Sequence, residues 1–231
     1  FFTVEGELLE KWEIPTRTEN NSENVLPDIA EAIANKLKEK GVDKEEVSGV
    51  GFGVPGPVTK EGIIQMNANL GWRNKHEAKE LGELTGLPCK GGNDVKTAGL
   101  GEMWKGGAAE YDNAVFITLG TGVAAAIIVE GKVILGAMGA AGEIGHIKVN
   151  MEETNACGCG GIGCAEQYAS GPGLVRMAKK KLEESDKASV LRDEEITAKT
   201  VFDAYKAGDE LATGVVEAFG HYLGYSLAAT A

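Results

Sequence analysis

Three cysteines and a histidine crowd one glycine-rich stretch, GHIKVNMEETNACGCGGIGCAEQ, as His146, Cys157, Cys159 and Cys164. One imidazole and three thiolates form the donor set of a closed tetrahedral zinc site. Glycines at 158, 160, 161 and 163 let the backbone wrap tightly round a small ion. The remaining cysteine, Cys89, stands alone. An extracellular disulfide scaffold would spread its cysteines through a short chain, so this crowding points to metal. With four protein ligands no coordination position stays open, and the ion is expected to organise a loop without activating water. The plainer reading is a glycine-rich loop with incidental thiols.

Carboxylates flank the cluster. Glu143 precedes His146 by three residues and Glu166 follows Cys164 by two. If the loop is fixed, both are fixed with it, and carboxylates held in a cleft accept strong hydrogen bonds from vicinal hydroxyls. His146 could hold metal through one ring nitrogen and donate the other N–H to a substrate oxygen. Spacing alone allows equally that Glu143 and Glu166 are solvated charges. Asn93-Asp94 closes an apolar run and opens a helical one. Asp94 reads as a helix N-cap or as a general base taking a proton from a substrate hydroxyl, with Asn93 orienting the substrate. Local sequence favours the cap. Gly120, Thr121 and Gly122 form a turn between two apolar runs, fit to cradle phosphate or to serve as an ordinary hairpin turn. The chain has no GxxxxGK[ST] motif, which argues against a P-loop kinase.

The elements that must carry these residues read as α/β. Apolar runs at 47–54, 88–92, 114–119, 123–129 and 132–135 suit strands. Helical periodicity covers 20–40, 77–85, 94–104, 174–182, 198–207 and 209 onward. Val25, Ile29, Ile33 and Leu37 make one stripe, closed by Gly41. Residues 1–14 read as a hairpin turning at Gly6. The 231 residues carry a formal charge of -12, which disfavours nucleic acid as the main partner. No run reaches the roughly 18 apolar residues of a membrane span. With no signal peptide and Phe1 in place of Met, the expectation is a cytoplasmic chain truncated at both ends.

Taken in order, the motifs resemble the ROK group of sugar kinases and repressors, and within it the bacterial glucokinases. The resemblance runs through GVPGPV (53–58), NLGW (69–72), GND (92–94), LGEMWKG (100–106), TLGTGV (118–123), GEIGHI (142–147) and CGCGGIGCAE (157–166). It implies an actin-like ATPase fold, a small lobe over 1–105 and a larger one over 106–231 carrying a zinc loop at 146–166. It implies ATP-dependent phosphorylation of a hexose, glucose first, with Asp94 as base on the 6-hydroxyl. Asn93, Glu143, His146 and Glu166 would be sugar ligands, and Gly120, Thr121 and Gly122 part of a phosphate turn. His146, Cys157, Cys159 and Cys164 would hold structural zinc, and magnesium would come with ATP. A homodimer or homotetramer is implied. The sequence departs from the family at Ala124–Ala126, where glycines are usual, and at Lys96, Met138 and Ala141. Alternatives within the group are a kinase for fructose, N-acetylmannosamine or another hexose, a sugar-sensing repressor, and a sugar-binding pseudokinase.

Overall fold

The computed structural model describes residues 1–67 and 69–230. They fall into two compact units, residues 1–116 with 126–141 and residues 117–125 with 142–231. The expected boundary at 105/106 is therefore not where the chain divides. The physical reason lies in β5 (Ala114–Leu119) and β6 (Val123–Val129), each of which contributes residues to both units.

The first unit is built on a parallel pair, β1 (Val50–Val54) and β4 (Cys89–Asn93), in register from Val50↔Cys89 to Val54↔Asn93. Between them the chain makes an antiparallel pair, β2 (Ile64–Asn67) and β3 (Trp72–Lys75), and then α3 (Glu77–Thr85). After β4 comes α4 (Asp94–Lys105), and β7 (Lys132–Val133) pairs with β6. Val25, Leu26, Val54, Val58, Ile64, Trp72 and Leu81 form the core. The apolar stripe lies on α2 (Val25–Lys40), and Gly41 caps it at φ +65°.

The expected helix from residue 20 starts later, at Val25. Asn20, Asn21 and Ser22, in α1 (Glu19–Ser22), hold left-handed backbone at φ 50°, 55° and 57°, which cannot continue a right-handed helix. The expected hairpin at 1–14 reduces to one antiparallel bridge, Phe2↔Leu8, round Gly6. The strand expected from residue 47 begins at Val50, and the one expected over 132–135 is two residues long.

Glu77, the first residue of α3, is fully buried, and neither carboxylate oxygen has a partner among the described residues. Burial disfavours its charged form and holds its pKa above the ordinary carboxylate value, offset in part by its own backbone amide and then by His76 and Lys75. The folded state thus binds this proton more tightly than the unfolded chain. Stability falls as pH rises from the ordinary carboxylate range to the raised value. Glu77→Met is expected to stabilise the protein at pH 8 by about 1–3 kcal/mol. Urea melts should show the gain shrinking toward pH 4. A variant less stable than wild type at pH 8 would contradict this account.

The second unit is mainly helical: α5 (Glu166–Ala169), α6 (Gly171–Glu183), α7 (Ala198–Lys206) and α8 (Glu210–Ala228). Leu174, Ala178, Leu191, Val201, Ala204, Ala212 and Val215 pack between α6, α7 and α8. Val123, Ala125, Ile144 and Ala169 form a smaller cluster against Phe219 and Leu223. Side-chain caps at Ser170, Thr197 and Asp209 start α6, α7 and α8. No described helix is long and apolar enough to cross a membrane.

Candidate active site and metal centre

The second unit brings the donor atoms of His146, Cys157, Cys159 and Cys164 within 4.8 Å of one another. Cys157 Sγ lies 3.8 Å from His146 Nδ1, and the Cys159 and Cys164 sulfurs are 3.7 Å apart. A tetrahedral ion with Zn–S bonds near 2.3 Å has ligand–ligand edges of about 3.8 Å, so the set fits zinc in both chemistry and size. Because Nδ1 faces the thiol, Nε2 is the nitrogen left for another partner. Burial holds the Cys157 thiol up at about 11, whereas backbone hydrogen bonding at Gly161 lowers that of Cys159. A metal ion must displace the Cys157 proton on binding.

Protein bonds brace this loop independently. Lys148 pairs with Cys164 in an antiparallel bridge and points its ammonium at the Cys164 sulfur, 3.0 Å away. Glu153 accepts from Tyr168 Oη at 2.6 Å and from Arg176 Nη1 at 2.9 Å. The Tyr168 hydroxyl, backbone amides and Arg176 hold the Glu153 carboxyl far below the usual range. Gln167 accepts from the Cys164 amide and donates to the Asn155 carbonyl. Sequence reading missed all three supports. Only the position of Lys148, two residues after a ligand in an apolar run, hinted at one of them.

Glu143 precedes the short 3-10 turn Ile144–His146 and is half-buried beside it. Glu166 opens α5, and its Oε2 accepts the Val123 amide at 3.0 Å. Val123 closes the Gly120–Gly122 turn. Within that turn the Gly120 amide donates to the Gly122 carbonyl, and the Gly120 carbonyl accepts from Gly171. The amides of Thr121 and Gly122 donate to no described residue. Ala124–Ala126 lie in the body of β6, beyond the turn, in backbone with no positive φ, and Ala125 and Ala126 are buried. The methyl groups of Ala125 and Ala126 are core atoms, and alanine adopts this strand backbone without strain.

Asn93 and Asp94 belong to the first unit. The helix cap is Asn93, whose Oδ1 accepts the Lys96 amide at 3.0 Å. Its Nδ2 donates to the Gly56 carbonyl at 3.1 Å and to Asp94 Oδ1 at 3.0 Å. Asp94 is thus relieved of capping, which corrects the reading that local sequence favoured. It is the first helical residue, exposed, and its Oδ1 also accepts from the Val95 amide. Glycine at 53 makes the placement possible, since a Cβ there would stand 2.9 Å from Asp94 Cα. Lys96 is 3% exposed and donates through Nζ to the Gly139 carbonyl, tying α4 to the segment that leads into GEIGH.

A groove of about 1140 Å³ in the second unit is lined by Tyr168, Tyr222, Val175, Arg176 and neighbouring residues. None of the predicted site residues lines it.

The chain is 39% identical to a glucokinase of Halalkalibacterium halodurans over 99% of its own length and 71% of that protein. It is 30% identical to the xylose repressor of Caldicellulosiruptor bescii over 83% of its length and 49% of that protein. The chain thus spans between about half and seven-tenths of these two relatives. The crystal structure of a ROK family glucokinase from Streptomyces griseus, in complex with glucose and AMPPNP, superposes with a TM-score of 0.77 at 32% identity. That match covers 98% of this chain and 73% of the other. The α/β architecture is accordingly that of the actin-like ATPase fold. Since the ROK family model also matches residues 1–231 throughout, the chain belongs to the ROK family.

Proposed function

We propose that the protein carrying this chain transfers the γ-phosphoryl group of ATP to the 6-hydroxyl of a hexose, with glucose the preferred substrate. One observation carries the reading: a single loop holds the metal-type donor set, the carboxylates Glu143 and Glu166 and the second ring nitrogen of His146, and Glu166 also grips the Gly120–Gly122 turn. Similarity to the two glucokinases supports it.

Phosphoryl transfer needs positioning and charge stabilisation more than covalent help. In this reading Glu143 and Glu166 accept hydrogen bonds from sugar hydroxyls, and His146 donates from Nε2. Asn93 aims the Asp94 carboxylate, which takes the 6-hydroxyl proton as the oxygen attacks phosphorus. The amides of Thr121 and Gly122 meet phosphate oxygens. Zinc, held by His146, Cys157, Cys159 and Cys164, would supply a fixed loop geometry. Magnesium bound with ATP would neutralise phosphate charge.

A coupled ADP-release assay on the full-length protein tests the reading over glucose, fructose, mannose and N-acetylmannosamine. The expected result is the highest kcat/KM with glucose. A higher value with another hexose would reassign the substrate within the same reaction. The similarity to a xylose repressor favours a second reading, a sugar sensor without transfer. Saturable sugar binding with no ADP release from any sugar would establish that one instead.

A further inference from the structure

Glu166 does two things that no ligand is needed to explain. It follows Cys164 by two residues, with Oε1 4.0 Å from Cys157 Sγ. Its Oε2 reaches across 43 residues of sequence to the Val123 amide. Gly122 makes this contact possible: a Cβ at that position would stand 2.5 Å from Glu166 Oε2. The other end of the turn is held at the Gly120 carbonyl by the Gly171 amide, at the start of α6. The turn therefore hangs from two anchors. One is the start of a well-packed helix, with Leu174 fully buried. The other is a carboxylate whose backbone belongs to the metal-type loop.

We propose that Glu166 is a positioning residue through which the metal-bound state of the Cys/His cluster controls the conformation of the Gly120–Gly122 turn. A filled cluster fixes Cys157 and Cys164, hence the backbone that carries Glu166, hence the acceptor for Val123. An empty cluster leaves the backbone that carries Glu166 held only by the Glu153 and Gln167 bonds, so this anchor loosens and the Thr121 and Gly122 amides lose their preset directions. The functional consequence rests on the phosphate-turn reading above: loss of the ion weakens nucleotide binding as well as sugar binding. The tie itself does not rest on that reading.

Amide hydrogen exchange on the purified protein tests this without any activity measurement. Val123 and the peptide over 119–126 are followed in zinc-loaded protein, after chelation, and in Glu166→Ala and Glu166→Gln. A hydrogen bond to a charged acceptor protects its amide, so chelation and Glu166→Ala should each speed exchange at Val123 by about tenfold or more. Glu166→Gln, whose amide oxygen can accept the same bond, should stay near wild type while zinc is bound. Chelating Glu166→Ala should add little, because the anchor is already gone. Unchanged exchange at Val123 in zinc-loaded Glu166→Ala would overturn the proposal, as would unchanged exchange after chelation. If chelation also exposes α7, the zinc-loaded Glu166→Ala variant decides alone. Binding of magnesium–AMPPNP to the same samples separates the two ideas. Coupled exchange without nucleotide binding keeps the tie and removes the phosphate reading. Nucleotide binding with uncoupled exchange does the reverse.

Discussion

Asp94→Asn is expected to leave glucose binding within a few-fold of wild type and to lower kcat by about 10²–10⁴-fold, the usual worth of general-base assistance. Asparagine is the discriminating substitution because of what surrounds the side chain. Asp94 Oδ1 accepts from the Val95 amide at 2.9 Å and from Asn93 Nδ2 at 3.0 Å. An asparagine carbonyl can accept the same two bonds, so the rotamer and the start of α4 are retained while the proton acceptor is lost. The helix cap is Asn93 and is untouched, so thermal stability should change by little. Asn93→Ala makes the contrasting case. It removes the cap, the bond to the Gly56 carbonyl and the aim of Asp94 together, and should lower both stability and kcat. Stopped-flow phosphate transfer and calorimetric glucose binding on the same preparations separate these outcomes. Near-normal turnover in Asp94→Asn would remove Asp94 from the role.

Stripping the metal from the Cys/His cluster is expected to produce the largest change in stability. Metal that binds the folded loop and not the unfolded chain contributes by mass action, about 4 kcal/mol when free zinc exceeds its Kd a thousandfold. For a chain of this size that corresponds to a Tm lower by about 8–16 °C after chelation. Elemental analysis should find about one zinc per chain, lost in Cys164→Ser and kept in Cys89→Ser, since Cys89 lies outside the cluster. The loop should loosen without dissolving. The bonds from Glu153 to Tyr168 and Arg176, and from Gln167 to Cys164, do not pass through the metal. Protein purified without zinc, with a Tm indifferent to chelator, would sink the metal assignment.

Regular elements were legible where one periodicity ran without interruption. The helix over 77–85 and the strands over 114–119 and 123–129 form at the expected residues. The start of α2 was misread because Asn20 to Ser22 are polar residues that an amphipathic pattern tolerates, and their left-handed backbone leaves no mark on the spacing. The β2–β3 pair was not expected at all. Its strands are four residues each, too short for alternation to stand out, and Trp72 reads as core only once it lies 4% exposed in one cluster with Ile64. The cluster was legible for a different reason. Its ligands are chemically unusual residues packed within 19 positions of sequence, so composition and spacing carried the signal that geometry then met.

What the sequence alone determined is a set of local facts: the donor types of the metal-type knuckle, the glycine turn between two strands, the Asn-Asp pair at the head of a helix, and membership of the motif series. The tertiary structure decided which of two adjacent residues caps α4, which carboxylate oxygen grips the turn, and that Lys96 holds the Gly139 carbonyl. Each of those decisions is a hydrogen bond whose partner is chosen by close packing. Spacing along the chain records periodicities of two and 3.6 residues, whereas contacts such as Glu166 to Val123 or Asn93 to Gly56 join residues about 40 positions apart. Such contacts become definite only when buried backbone groups must find partners inside a packed fold.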